Sequence, residues 1–366
     1  MATVREVELS DVEAVSILTE SVGWGRVTLE GWDRLWRRNP AAAGGAFARG
    51  WILEDRGRIV GYLCNVGRLY RHGCAILRAA SASSLVVLPE FRGQSLQLFL
   101  QYARQGGVDL LLNTTAAPNV SKISEFLKFE PIPQPDYDVS FYWVLRSRPF
   151  ATSALRKKQV PPPWDGWVGR ALAPAVWVYA GARHRLRQRT PEGASISVIP
   201  PSGIDGGFDE MWERVAAKGD RLLAYRTSGA LRWHFPPRSD ARWPFLVVAR
   251  GAGRLLGYVA VVRQDAGHLG LGRARFADVF VEGDEPAIVR ALMGRAIEEA
   301  ARRGVAMIEL IGFPEPVRAA ARALRPFELR SESWPFVYRA RTPELQQALG
   351  PKDVWYASLF DGDGSL

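Results

Sequence analysis

The stretch "LVVLPEFRGQSLQLFLQYA", residues 85–103, decides how this sequence is interpreted. An apolar run typical of a buried strand ends at Pro89, and the residues from about 95 onward have the apolar spacing of a helix. Arg92 and Gly93 lie between the two. Free backbone N–H groups and the positive end of the dipole make a helix N-terminus an anion site, and a basic residue strengthens it. The stretch therefore predicts a phosphate cradle at a strand-to-helix junction.

Strands and helices surround this junction throughout the first 148 residues. "GWILED" and "RIVGYLCNV" predict two strands that are joined by a tight turn at Arg56-Gly57. "VDLLLNTT" predicts a buried strand after the helix, and "YDVSFYWVL" predicts an alternating strand that closes the unit. This order indicates a mixed α/β sheet with one βαβ crossover.

The same order of elements restarts at Ser195. "FLVVARGAGRLLGYVAVV" repeats the hairpin, and its second strand carries "LLGY" where the first copy has "IVGY". We therefore predict an α/β protein of two tandem copies of one fold, at 1–148 and 195–366, with a linker at 149–194.

The linker is basic and rich in proline and tryptophan. "WVGRALAPAVWVYAGARHRLRQRT" predicts an amphipathic helix with an aromatic face and a basic end. Residues 164–189 are compatible with peripheral contact to an anionic membrane. We favour the other interpretation, in which the aromatic face packs between the two domains, because Pro174 interrupts the apolar stripe.

Composition narrows the class of protein. Apolar residues make up 47% and charged residues 23% of the 366 residues, which is typical of a globular protein. The net charge of +10 favours anionic ligands, although no feature indicates DNA. The sequence shows no signal peptide and no transmembrane segment, so we expect a cytoplasmic protein. The four histidines lack metal-ligand spacing, so no metal site is expected.

Two segments of the first half resemble the GCN5-related N-acetyltransferase (GNAT) superfamily. One is the "V-x-P-x-x-R-G" junction at residues 87–93, and the other is "NTTAAPNVSKISEFLKFEPIP" at residues 113–133. The resemblance runs from Val4 to about Leu145, and the second half looks like a degenerate second copy. The whole chain resembles tandem members, including transferases of bacterial polysaccharide and cell-envelope pathways.

This resemblance implies that acetyl-CoA or another acyl-CoA is the co-substrate and that a small-molecule amine is the acceptor. The strand would pair with the pantetheine arm, and a backbone N–H near Val86 or Val87 would hold the thioester oxygen. The residues implied to bind the donor are Leu85, Val86, Val87, Leu88, Arg92, Gly93, Gln94, Ser95, Leu96, Gln97, Asn119 and Ser121.

The sequence departs from the family pattern at several catalytic positions. The signature Q/R-x-x-G-x-G/A reads "RGQSLQ" here, so the long side chain of Gln97 replaces a small residue. Ser124 stands where the family has a tyrosine general acid, and the strand "SASSLVVL" carries no carboxylate. Ser124 and Glu90 are the predicted catalytic residues, with Glu30 as a further candidate acid.

The second junction reads "VFVEGDEPAIVRALMG" and lacks the basic cradle. Its acids would repel a pyrophosphate, so we expect no donor binding there. The terminal "DGDGSL" lacks the rest of a calcium loop and is predicted to be a frayed end.

Three functions stay open at this point. The first is an acyl-CoA-dependent N-acyltransferase in which the amine attacks the thioester directly within a ternary complex. The second is a binding or scaffold protein whose donor sites have decayed. The third is a tandem transferase that uses an aminoacyl-tRNA donor, which the basic charge favours mildly.

Overall fold

A computed structural model describes residues 2–45, 47–114, 118–184, 188–237, 242–330 and 336–366, with the backbone alone described at 118–121. Within these ranges the strands are β1 Thr3–Glu6, β2 Gly50–Asp55, β3 Arg58–His72, β4 Ala75–Val87, β5 Leu110–Asn113, β6 Glu130–Pro131, β7 Val139–Val144, β8 Ala194–Ile199, β9 Leu223–Ala224, β10 Phe245–Gly251, β11 Arg254–Arg263, β12 Arg273–Val281, β13 Met307–Leu310, β14 Phe327–Arg330 and β15 Val337–Ala340. The α-helices are α1 Val12–Ser21, α2 Leu29–Trp32, α3 Ser95–Arg104, α4 Pro118–Phe126, α5 Ser147–Lys157, α6 Trp164–Arg183, α7 Gly206–Ala216, α8 Ser228–His234, α9 Pro286–Arg302, α10 Glu315–Arg322 and α11 Pro343–Ala348.

The strands form two mixed sheets, and the matching hairpins show that they are copies of one fold. The order is β1-β2-β3-β4-β5-β15-β6 in the first sheet and β14-β7-β13-β12-β11-β10-β8 in the second. The β2–β3 turn has positive φ at Arg56 (49°) and Gly57 (80°), and the β10–β11 turn repeats this at Ala252 (48°) and Gly253 (76°). Two successive positive φ values define the turn type that suits the right-handed twist of a hairpin. The predicted tandem α/β arrangement is confirmed.

The two copies exchange one strand each. β7 comes from the first half of the chain but pairs with β13 and β14 in the second sheet. β15 comes from the second half and pairs with β5 and β6 in the first sheet. The sheets therefore do not divide at residue 148, because each contains a strand from the other half.

The linker forms a helical hairpin of α5 and α6. A Cβ atom at Gly169 would lie only 2.4 Å from Oγ1 of Thr152, so a glycine is required where the helices touch. Nε of Arg156 donates to Asp165 at 2.5 Å on the same face. The aromatic side chains of α6 point elsewhere: Trp167 is 65% exposed and Trp177 is 70% exposed. The prediction that this face packs between the domains is therefore wrong. None of the described helices is both long and apolar enough to cross a bilayer.

Candidate functional site

The first sheet opens beside the predicted cradle. β4 and β5 pair in parallel from Ala79 and Leu110 as far as Ala82 and Asn113. β4 then continues to Val87, while β5 ends, so the second half of β4 has no partner on this side among the described strands. The register with β3 also shifts here. An unpaired strand edge presents backbone N–H and C=O groups to a ligand that can pair like a strand.

The backbone of β4 directs one N–H group into this opening. The N–H of Leu88 donates to the carbonyl of Val60 in β3 at 2.9 Å. Because N–H groups alternate in direction along an extended strand, the N–H of Val87 points away from β3 and toward the opening. It is one of the two amides that the sequence nominated for the thioester oxygen. Among the residues of this strand that were predicted to contact the donor, Leu85 and Val87 are half-buried, whereas Val86 and Leu88 are buried.

The cradle follows directly at the mouth of the opening. Residues 89–94 form a 3₁₀ turn that leads into α3, and the hydroxyl of Ser95 donates to the carbonyl of Arg92 at 2.8 Å. Arg92 and Gly93 are exposed, and a Cβ atom at Gly93 would meet nothing within 4 Å. Gln94, Ser95 and Leu96 are half-buried behind them. A cation, free space and a helix N-terminus thus lie together at one end of the opening.

Gln97, the residue that departs most from the family signature, lies on the flank of α3. The helix buries Leu98, Phe99, Tyr102 and Ala103 against the sheet. Gln97 is half-buried and shares its side of the helix with positions 101 and 104, which are exposed and follow at spacings of four and three. This side faces away from the core.

The predicted catalytic residues are not gathered at the opening. Ser124 is buried within α4, with an exposed fraction of 3%. Glu90 is exposed on the 3₁₀ turn, and Glu30 is exposed on α2. The side chains of Asn119 and Ser121 lie outside the described residues.

A carboxylate that sequence reasoning missed lies where β4 and β5 separate. Ser83 donates to Oδ2 of Asp363 at 2.7 Å, and Thr114 donates to Oδ1 of the same residue at 3.2 Å. The preceding Gly362 is essential to this approach, since a Cβ atom there would lie 1.7 Å from Oγ1 of Thr114. The strand lacks its own carboxylate, but the far end of the chain supplies one.

The segment that carries Asp363, residues 355–366, is not a frayed end. Nη2 of Arg68 donates to the carbonyl of Gly362 at 2.5 Å, and the hydroxyl of Tyr70 donates to Oδ1 of Asp361 at 3.1 Å. His234 and Ser365 are hydrogen-bonded at 2.7 Å. Burial raises the pKa of Asp361, although the nearby Arg226 opposes the shift. The local pattern of glycine and aspartate gave no signal of these long-range contacts.

The same segment fills the corresponding opening of the second sheet. β12 pairs with β13 only as far as Arg275 and Glu309, and then runs on to Val281. On this unpaired length the hydroxyl of Tyr356 donates to the carbonyl of Val279 at 2.5 Å. On the other side, just after β13, the Phe313 N–H donates to the carbonyl of Ala357 at 2.9 Å. The chain itself therefore occupies the space that is open in the first sheet.

The acids at the second junction are engaged within the protein. Glu285 caps α9 by accepting from the N–H of Ala287 at 3.4 Å. Arg214 donates to Glu282 at 3.1 Å, and Asp284 pairs with Arg221 at 2.6 Å. The negative charge of these acids stabilises the start of α9, and it would repel a phosphate bound there.

A cavity of about 240 Å³ lies between the two copies, close to the terminal segment. Its walls include residues 67–69 of β3, Thr227, Trp233 and Phe360. Arg68 is buried in the wall, and among the described residues its Nε has no hydrogen-bond partner. Because Arg68 lines the cavity, its positive charge favours a polar or anionic ligand group there.

Comparison with known proteins gives structural matches only. No protein-family model matches the sequence, and no curated protein matches it significantly. A GCN5-related N-acetyltransferase from Anabaena variabilis is similar in structure, with a TM-score of 0.56 and 9% identity over 93% of this chain and 73% of that chain. Saccharomyces cerevisiae N-myristoyltransferase, solved with bound myristoyl-CoA, matches with a TM-score of 0.55 and 12% identity over 98% of this chain and 83% of that chain. Eis1 from Mycobacterium abscessus matches with a TM-score of 0.53 and 16% identity over 95% of this chain and 76% of that chain.

These matches define the fold. The chain has the GNAT fold in a tandem arrangement. The matched structures cover nearly the whole length of this chain. At 9–16% identity they support the architecture alone. The residues at the opening must carry any argument about chemistry.

Proposed function

We propose that this protein is an acyl-CoA-dependent N-acyltransferase whose first copy binds the donor. The observation that carries the proposal is the opening of the first sheet, with the unpaired edge of β4 on one side and the Arg92-Gly93 cradle at its mouth. In the GNAT-fold neighbour solved with myristoyl-CoA, an acyl-CoA is bound to a protein of the same architecture. The acceptor is an amine of a small molecule, a sugar or a cell-envelope precursor.

Each part of the donor meets a suitable group in this proposal. The pyrophosphate binds beside Arg92 and Gly93 at the turn into α3, where the charge of Arg92 and the helix dipole favour negative charge. The pantetheine arm pairs with the free edge of β4, and the N–H of Val87 donates to the thioester oxygen as negative charge develops there. Gln97 does not obstruct this arrangement, because it lies on the flank of the helix.

The reaction is a direct transfer. The amine nitrogen attacks the thioester carbon, the C–N bond forms, and the C–S bond then breaks to release the coenzyme A thiolate. The attacking nitrogen must lose a proton, and the carboxylate of Asp363 is the candidate base because it lies beside Ser83 and Thr114 where the strands separate. The thiolate takes its proton from solvent, since Ser124 is buried and Glu90 lies on the exposed turn.

The cavity beside Arg68 is the proposed acceptor pocket. It adjoins the terminal segment, because Arg68 both lines it and donates to Gly362. Its apolar walls, formed in part by Trp233 and Phe360, suit a ligand with an apolar body. The positive charge of Arg68 in the cavity wall suits an acceptor that also carries an oxygen or an anionic group.

Calorimetry tests donor binding. Acetyl-CoA is titrated into the wild type, into Arg92→Glu and into Arg104→Glu, a matched control at the other end of α3. We expect micromolar affinity in the wild type and the control, and a loss of at least about tenfold in Arg92→Glu, as for the removal of a charge-assisted phosphate contact. If neither acetyl-CoA nor a longer acyl-CoA binds the wild type, the proposal is wrong.

A binding protein without turnover is the second candidate. The burial of Ser124 favours it, because the family position of the general acid is then out of reach of a leaving thiolate. Such a protein would bind acetyl-CoA in the same titration but release no free thiol with any panel of amines. An aminoacyl-tRNA donor would instead give tRNA binding that weakens steeply with salt.

A further inference from the structure

Helix α6 carries an unusual concentration of exposed apolar side chains. Among the described residues, fourteen large hydrophobic side chains are exposed, and half of them lie on this one helix: Trp164, Trp167, Val168, Leu172, Trp177, Val178 and Tyr179. Contiguous apolar surface of this kind marks an interaction site, whereas apolar residues scattered singly do not.

The exposed side chains form a stripe opposite the packed face of α6. The packed face contains Asp165, Gly169 and Ala180, which are buried. Trp164, Trp167, Ala171, Ala175 and Val178 follow one another at spacings of three and four and therefore share the other side. None of the residues on this second side is buried.

Nearly all of the net charge of the chain lies in the same segment. Residues 146–190 contain ten lysines and arginines and one aspartate, which gives +9 against +10 for the whole chain. The one acid, Asp165, is buried and paired with Arg156. Lys157 and Lys158 are exposed just before α6, and Arg170 is exposed within it. The apolar stripe is therefore bordered by positive charge that no acid of the segment neutralises.

We propose that α6 lies flat on the surface of a bilayer that contains anionic lipids, with the stripe in the headgroup region. A negative surface complements the charge, whereas a second copy of this chain would bring two segments of +9 together. Tryptophan and tyrosine near both ends of the stripe suit the boundary between headgroups and acyl chains. The helix binds in the plane of the membrane and does not span it.

Vesicle co-sedimentation tests this proposal with the full chain. One set of vesicles is phosphatidylcholine alone, and the other contains about a third phosphatidylserine. We expect binding to the anionic vesicles only, and a loss of that binding in the variant Trp167→Glu/Val178→Glu. The matched control is Ile76→Glu/Phe126→Glu, which places two acids on exposed apolar positions elsewhere. Thermal unfolding of both variants confirms that they are folded.

The charge contribution is tested separately. Lys157→Gln/Lys158→Gln should weaken vesicle binding by about 25-fold, since each basic residue near an anionic surface contributes roughly a factor of five. The control Arg58→Gln/Lys352→Gln removes two exposed charges outside the segment and should leave binding unchanged.

Two results would overturn the proposal. One is equal vesicle binding by the wild type and by Trp167→Glu/Val178→Glu. The other is a wild-type dimer in light scattering that this variant converts to a monomer without any vesicle binding, because a second copy would then cover the stripe. Neither result bears on donor binding, which the Arg92→Glu titration measures independently.

Discussion

The openings of the two sheets differ in what occupies them. In the first, β4 runs past the end of β5, and among the described strands nothing pairs with this edge beside the basic cradle. In the second, Tyr356 and Ala357 take up the corresponding space, and acids surround the start of the helix. Two copies with the same strand order thus differ in whether the chain itself fills the opening.

One short segment accounts for both outcomes. Residues 356–357 close the second opening, and Asp363 reaches the separating strands of the first a few residues later. The filling of one opening is therefore linked to the delivery of a carboxylate to the other. The following variants test this comparison.

The largest effect is expected for the buried ion pair that anchors the segment. Arg226 donates to both oxygens of Asp278 at 2.8 and 3.1 Å, and its guanidinium lies over the ring of Phe360. Arg226→Met should lower the free energy of unfolding by about 3–5 kcal/mol, because it leaves Asp278 buried and unpaired. Urea unfolding followed by circular dichroism measures this change.

A matched surface variant and a double variant complete this test. Arg58→Met, at the exposed start of β3, should change stability by no more than about 0.5 kcal/mol. Arg226→Met/Asp278→Leu should recover part of the loss, since Asp278 is no longer left unpaired, whereas the buried Asp361 still lacks its contact with Arg226. Equal stability of Arg226→Met and the wild type would show that this pair does not hold the segment.

At the first opening we expect a smaller change in the free energy of unfolding but a large change in kcat. Asp363→Asn should lower kcat about 100-fold and leave the KM for the donor unchanged, as expected for the loss of a general base. Steady-state thiol release with an amine acceptor provides the measurement. Asp353→Asn, an exposed neighbour in the sequence, serves as the control. An unchanged kcat would remove Asp363 from the mechanism.

The smallest effect is expected at the second opening. Tyr356→Phe removes one hydrogen bond to Val279 and should cost about 1 kcal/mol of stability. Calorimetric affinity for acetyl-CoA should stay the same, because that opening binds no donor in our proposal. A decrease in donor affinity beyond about twofold would mean that the second copy takes part in binding.

The features that local sequence reveals were predicted correctly. The tight turns at Arg56-Gly57 and Ala252-Gly253 and the junction after Pro89 depend on neighbouring residues, so their patterns are visible in the sequence. The repeat of these patterns was enough to predict two copies of one α/β fold.

The features that depend on distant contacts were not predictable in this way. β7 and β15 have the alternation of any closing strand, and nothing in that pattern says which sheet accepts them. The periodicity of α6 identifies an apolar stripe but not what covers it. Asp363 lies about 250–280 residues from Thr114 and Ser83 in the sequence, and only the fold brings them together.

The exchanged strands also determine when each sheet can assemble during synthesis. β5 ends at Asn113 and gains its antiparallel neighbour β15 only when Val337–Ala340 has been made. At about 5–20 residues per second, the intervening stretch takes on the order of 10–40 s to translate. During that time the first sheet lacks the strand that pairs with β5 on the side away from the opening. The β5 side of the proposed donor site therefore stays at the edge of its sheet until the second copy has been largely synthesised.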